Sequence, residues 1–268
     1  MHLIVPIKQV PETDQVRMDP ETGTVIRRGL SAIINPLDLY ALETALQIKE
    51  SHGGNITVLT MGPKLAEKAL REALSFGCDQ AVLLSDRKFA GSDTWATAYI
   101  ISQAIQKLSP YDLIICGERA TDGDTGQVGP GIASFLDLPL ATYVDRLIGF
   151  HANGLRVRRM VETGSETIWS SMPALITVVK DIAHPRFPTL KGKLSAKNAE
   201  VKIWEAKDLC LDEDSLGLRG SPTRVVKIEK SKISRQGEII EAFTPEQIDN
   251  AAEKIVSFLF DHNFVDET

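Results

Sequence analysis

Residues 112–131 read DLIICGERATDGDTGQVGPG. An apolar run, Asp112–Cys116, enters a polar turn rich in glycine, and a helical pattern follows near Gln127–Leu136. The same strand–turn–helix grammar recurs on the N-terminal side. His2–Ile7 is a continuous apolar run that stops at Lys8, as a strand buried on both faces does. After Asn35-Pro36, Leu39, Leu42, Ala45, Leu46 and Lys49 step at helical spacing until Gly53-Gly54. Asn55–Met61 (NITVLTM) is a further strand, followed by Gly62-Pro63 and a helix over Lys64–Phe76. Gln80–Ser85 is another, and Ser92 or Asp93 can cap a helix over Thr94–Lys107. Strands alternating with helices predict an α/β fold: a parallel sheet with helices on both faces.

Two regions depart from this rhythm. Gln15–Arg28 predicts a hairpin around Glu21-Thr22-Gly23. Beyond Tyr143, the segments Arg146–Phe150, Leu155–Glu162 and Glu166–Ser171 alternate as antiparallel strands before Ala174–Val179 returns to the core. His184–Lys193 (HPRFPTLKGK) reads as extended. From Ala199 onward only Val201–Trp204 is strand-like, and an amphipathic helix spans Pro245–Phe260. This divides the chain into an α/β domain, 1–198, and a C-terminal arm, 199–268, with too little core to stand alone.

Composition narrows the functional classes. With 30 Lys+Arg against 36 Asp+Glu in 268 residues, the net charge is −6, and 43% of residues are hydrophobic. That excludes a disordered chain, and the acidity argues against a nucleic-acid or anionic-membrane surface. No apolar run reaches membrane-span length, and the chain opens into a strand rather than a leader, so no membrane insertion and a cytoplasmic location are expected. Cys78, Cys116 and Cys210 lie far apart, and none of the five histidines has metal-ligand spacing. No metal site is predicted, no nucleophile elbow appears, and any chemistry here belongs to a bound cofactor.

In an open parallel sheet, ligands sit outside the carboxyl ends of the strands. The candidates are Pro6, Lys8, Gln9 and Pro11 after the first strand, Met61-Gly62-Pro63, Phe89–Thr94, and the long turn Gly117–Gly131. Glycine-bearing turns that enter helices suit phosphate, because helix N-termini present unpaired N–H groups. Asp122-Gly123-Asp124-Thr125-Gly126-Gln127 is the densest such turn. Its carboxylates can hold ribose hydroxyls, cap N–H groups or coordinate a cation. It is neither a Walker A loop nor a G-x-G-x-x-G placed after the first strand, and the Ser-Gly-Gly-x-Asp-Ser signature of ATP pyrophosphatases is missing.

With these loops in place, the chain resembles the beta subunit of electron transfer flavoproteins over nearly its whole length. The matching segments are VPIKQVPET (5–13), DPETGTVIRRG (19–29), INPLDLYALETALQIKE (34–50), TMGP (60–63), LREALSFGCDQAVLLSD (70–86), FAGSDTWAT (89–97), DGDTGQVGP (122–130), LPLATYV (138–144) and HPRFPTL (184–190). The resemblance implies an adenine-nucleotide α-hydrolase-like fold and an alpha-subunit partner on which the C-terminal arm packs. It also implies a nucleotide held by Pro6, Asn35, Pro36, Asp38, Met61, Gly62 and Asp122, Gly123, Asp124, Thr125, Gly126, Gln127 and Val128.

In one branch of the family this nucleotide is a structural AMP beside a single alpha-subunit FAD. In the other it is a second FAD that is reduced by NADH and splits the electron pair. The short DGDT-x-QVGP turn, FAGSDTWAT and GSPTRVV (220–226) resemble the second branch. FAD is then implied here, with NADH as substrate, a ferredoxin or flavodoxin as one acceptor and a flavoprotein dehydrogenase, acyl-CoA dehydrogenase-like or other, as the second. Asp93, Thr94 and Thr97 are then expected near the flavin ring. One departure is Glu118-Arg119, where the second branch has a basic residue followed by Gln. Residues 184–193 resemble the family's recognition loop, with Pro185, Arg186, Leu190 and Lys191 expected at the docked dehydrogenase. Two rival readings remain: an AMP-holding one-flavin relay, and a nucleotide-binding sensor of the same fold without redox function.

Overall fold

A computed structural model of the chain describes residues 1–12, 32–151, 153–226, 237–262 and 264–265. The hairpin expected at Gln15–Arg28 lies outside the described residues. The chain begins with β1 (His2–Pro6), then a small antiparallel pair, β2 (Gln9–Pro11) and β3 (Ala32–Ile34). Next come α1 (Pro36–His52), β4 (Asn55–Met61), α2 (Glu67–Phe76), β5 (Gln80–Leu84), α3 (Thr94–Lys107), β6 (Leu113–Gly117) and α4 (Val128–Phe135). The meander β7 (Leu140–His151), β8 (Gly154–Val161), β9 (Gly164–Ser171) leads into β10 (Ala174–Val178), α5 (Leu190–Asn198) and β11 (Val201–Trp204).

One sheet holds nine of these strands, in the order β11-β5-β4-β1-β6-β10-β7-β8-β9. Every pair from β11 to β7 is parallel, and β8 and β9 extend the sheet as antiparallel strands. Alternate residues of each central strand feed two cores. Leu3 and Val5 pack with α1 and α2, whereas Ile4 packs with α3 and α4. All three are fully buried, and burial of each such side chain contributes about 1.5–3 kcal/mol. This two-sided burial is why the strands read as continuous apolar runs. The chain moves outward from β1 through β4 to β5, then restarts on the other flank with β6, so the order reverses between β1 and β6. A crevice opens at the strand ends at such a reversal.

Two features differ from the sequence reading. His184–Lys193 is not extended throughout: α5 starts at Leu190, because Thr189 caps it by accepting from Gly192 N at 3.0 Å. The first compact unit also runs past residue 198, to Ile228. β11 pairs with β5 in register, and Leu209 and Leu216 are buried in the core beneath α3. The second unit, Glu229–Thr268, contains α6 (Pro245–Asp261), opened by a Thr244/Gln247 capping box and bearing exposed Ile248, Ile255 and Val256. Among the described residues, no helix is long and apolar enough to cross a membrane.

Candidate functional site

The carboxyl ends of β1, β4, β5 and β6 surround a cleft of about 790 Å³. That volume lies toward the upper end of the ~300–1,000 Å³ usual for small-molecule sites. Each strand contributes the loop that follows it: Pro6–Gln9 after β1, Met61–Pro63 after β4, Ser85–Thr94 after β5 and Gly117–Val128 after β6.

The turn after β6 supplies the donors. None of the N–H groups from Thr125 to Gly129 has an acceptor among the described residues, and α4 has no side-chain N-cap. By contrast, Asp93 Oδ1 caps α3 by accepting from Ala96 N at 3.0 Å. Pro130 in the first turn of α4 has no N–H of its own. Asp124 (φ 54°) and Gly126 (φ 64°) turn the backbone through the left-handed region, which curls the donors into a concave run. Such a run, at the positive end of a helix, fits a phosphate or diphosphate group.

The two carboxylates of this turn are neutralised within the chain. Lys8 Nζ donates to Asp122 Oδ1 at 2.6 Å, across the β1–β6 crevice. Arg119 Nε lies 2.8 Å from Asp124 Oδ1, and its Nη1 lies 3.4 Å from Glu118. The departure at Glu118-Arg119 is therefore a local arrangement in which the basic side chain folds back on its own turn. No group of acids, histidines or cysteines suited to a metal ion occurs among the described residues.

Beneath the turn, Asn35 and Asp38 brace the loops. Asn35 Nδ2 donates to Arg119 O at 2.9 Å, and its Oδ1 accepts from Thr121 N at 3.1 Å. Asp38 Oδ2 accepts from Lys8 N at 2.7 Å. Gly117 is required at the end of β6, since a Cβ there would fall 2.5 Å from Asp38 Oδ1. Burial lifts the Asp38 carboxyl to about 7, although its hydrogen bonds from Lys8, Asn35 and Gly117 favour the ionised form.

The β5 side of the cleft is braced differently. Asp93 Oδ2 accepts from Thr223 N at 3.0 Å and from Thr223 Oγ1 at 2.7 Å, and Ser221 Oγ accepts from Asp93 N at 2.9 Å. Both carboxylate oxygens of Asp93 are thus committed within the chain. Burial raises the carboxyl, but the hydrogen bonds from Thr223 and Ala96 outweigh it and hold it below its ordinary range.

Among the residues expected at the site, Pro6, Asp38, Met61, Gly62, Asp93, Thr94, Thr97 and the stretch Asp122–Val128 line this cleft. Asn35 and Pro36 do not: Asn35 is fully buried behind the turn, and Pro36 starts α1. Arg119, already singled out in the Gly117–Gly131 turn, lines the cleft as well, and so does Arg87, to which no motif pointed. A further feature invisible in the sequence is the bulge in β7, where Thr142-Tyr143 oppose Thr177 alone. It places Tyr143 at φ 55°, its hydroxyl near Gly126.

The 184–193 segment forms a separate face. Arg186, expected at a docked partner, turns inward. Its Nε donates to Glu43 Oε2 at 2.8 Å and its Nη2 to Glu43 Oε1 at 2.9 Å, while Nη1 pairs with Glu50. Pro185 beside it lines a small cavity together with Leu42 and Phe76. Arg71 Nη1 approaches Ala196 O at 2.9 Å and holds the far end of α5. What faces outward is Lys191 and an apolar group: Phe187 (93% exposed), Leu190 (76%) and Leu194 (62%).

A family model described as "Electron transfer flavoprotein domain" matches residues 22–209. The chain is 49% identical over 258 residues to the electron transfer flavoprotein subunit beta of Thermoanaerobacterium thermosaccharolyticum, covering 96% of this chain and 98% of that one. It is 45% identical over 267 residues to the protein FixA of Azotobacter vinelandii, covering 97% and 95%. It is 42% identical over 249 residues to the caffeyl-CoA reductase-Etf complex subunit CarD of Acetobacterium woodii, covering 92% and 95%.

Proposed function

The chain belongs to the electron transfer flavoprotein family, as a beta subunit, and from that premise we propose that its cleft holds an FAD reducible by NADH. Such a flavin exchanges a hydride with NADH and single electrons with two outlets: a ferredoxin or flavodoxin, and, through the alpha-subunit FAD, a flavoprotein dehydrogenase. The observation that carries this reading is the extent of the cleft. It takes in the loops that follow β1, β4, β5 and β6, and the starts of α3 and α4 meet along it, with Thr94 Oγ1 3.3 Å from Gln127 Oε1. With about 790 Å³ available, a dinucleotide suits it better than a mononucleotide. The similarity to a subunit of a caffeyl-CoA reductase-Etf complex supports a partner that acts on CoA thioesters.

In this reading the chain's residues bind and orient. The N–H run of Thr125–Gly129 takes the diphosphate. Lys8 and Arg119 keep Asp122 and Asp124 from repelling it. Asp93 holds the start of α3 so that Thr94 and Thr97 face the ring end. The exposed apolar residues of α6 support packing on the alpha subunit.

The test is to denature the purified alpha–beta heterodimer and count FAD and AMP. Two FAD and no AMP are expected, and bulky replacements of Asp122-Gly123-Asp124 should remove one FAD per heterodimer. One FAD with one AMP would overturn the reading in favour of a one-flavin relay.

We also assign Leu190, with Phe187 and Leu194, to the dehydrogenase-docking face. Leu190→Ala is expected to slow electron delivery to the partner by roughly tenfold, as loss of an interface anchor does, and to leave flavin content intact. Unchanged turnover in a coupled assay with the partner would sink the anchor role.

A further inference from the structure

We propose that Arg87 binds the diphosphate of the nicotinamide dinucleotide that reduces the cleft's flavin. The assignment rests on the NADH-linked reading above and adds the residue that selects the donor.

Among the described residues, three cationic side chains line the cleft: Lys8, Arg87 and Arg119. Two are already committed, Lys8 to Asp122 and Arg119 to Asp124 and Glu118. Arg87 has no carboxylate partner among the described residues. The acids nearest in sequence are occupied by other donors. Asp86 Oδ1 accepts from Lys88 N at 2.9 Å and its Oδ2 from Ala206 N at 3.0 Å. Both Asp93 oxygens are taken by Ala96 and Thr223. The neighbouring Lys88 pairs with Glu213. Asp86, Asp93 and Lys88 are thus all engaged by other groups, and the Arg87 guanidinium, among the described residues, is not.

Its position separates it from the other anion seat. Arg87 follows β5, whereas the N–H run follows β6, and β4 and β1 lie between those two strands in the sheet. An anion held on the N–H run leaves Arg87 free for a second one. Arg87 is exposed at the mouth of the cleft, which suits a ligand that exchanges with solvent on each turnover. A guanidinium presents a rigid fork of donors matched to two oxygens of a phosphate group, so it favours a diphosphate over a single diffuse charge.

The test compares the wild-type heterodimer with Arg87→Gln and Arg87→Lys. For Arg87→Gln, FAD content is expected to stay the same. The Kd for NADH in rapid-mixing flavin reduction should rise on the order of ten- to a hundredfold, the range of charge-assisted hydrogen bonds. The loss should appear in Kd rather than in the limiting rate. Inhibition by ADP-ribose, which carries the diphosphate without nicotinamide, should weaken by the same factor. Wild-type affinity should fall with added salt, and that dependence should shrink in Arg87→Gln. Arg87→Lys should recover part of the affinity. Loss of FAD from Arg87→Gln would give Arg87 to the flavin and overturn the assignment, as would unchanged Kd values for NADH and ADP-ribose. Wild-type flavins left oxidised by NADH would overturn the underlying reading and the assignment with it.

Discussion

Arg186→Ala is expected to lower the unfolding free energy by roughly 2–3 kcal/mol, below the range for a fully buried ion pair because the Arg186 side chain is 35% exposed. Glu43 is only 4% exposed, and Arg186 supplies two side-chain donors and its own backbone N–H to that carboxylate. With the guanidinium gone, Glu43 keeps Gln47 as its remaining side-chain donor, at 2.9 Å. Most of the cost is therefore the stranded charge. Replacing both partners with apolar residues, Arg186→Met with Glu43→Leu, should recover most of the stability. Urea denaturation of the heterodimer checks both variants, and a double variant as unstable as the single one would contradict the stranded-charge account.

The pH dependence has a definite sign. Burial raises Glu43, but the hydrogen bonds from Arg186 outweigh it and hold the carboxyl below its ordinary 4.5; Arg186 does the same to Glu50. Groups depressed on folding contribute stability above their unfolded values and lose it as the pH falls through the folded ones. The contact that fixes the 184–193 segment on α1 is thus strongest at neutral pH and weakens in acid.

The parallel sheet is legible in the chain because strands buried on both faces leave unbroken apolar runs. Asn55–Met61 and Val201–Trp204 are strands with those same bounds in sequence and structure. The loops of the cleft are legible for the same reason: once the strands are placed, the residues after each one lie at a single end of the sheet. What holds those loops is not legible. Asn35 reaches a turn more than eighty residues away, and Arg186 reaches Glu43 across 143. Contacts of that kind leave no local period or spacing. The acids of the DGD turn look unsuited to a phosphate until Lys8 and Arg119 are seen to neutralise them. The start of α5 is a different case. Thr189 is an ordinary N-cap, but Pro185 and Pro188 mask it, because prolines nearby argue for extended chain.

A second large effect is expected at Asp38, where the stability of the heterodimer should decline as the pH rises from about 4 to about 7, and Asp38→Asn should flatten the profile. The carboxyl is raised from an ordinary 3.8 to about 7, chiefly by burial. Between those values the native chain holds a proton that the unfolded chain has released, so stability falls with rising pH. Carried through the whole window, the shift amounts to at most ~4 kcal/mol. Glu43, Asp86 and Asp93 are shifted the opposite way, so their losses fall on the acid side and do not mask the effect. The same titration acts on the cleft, because Asp38 lines its floor beside Lys8. Ionising it above pH 7 adds a negative charge where an anionic nucleotide is proposed to sit. Nucleotide retention should therefore be tighter at pH 6 than at pH 8, and Asp38→Asn should erase that difference while keeping a residue of nearly the same size. Retention in the variant that still tracks pH would place the titrating group elsewhere in the cleft.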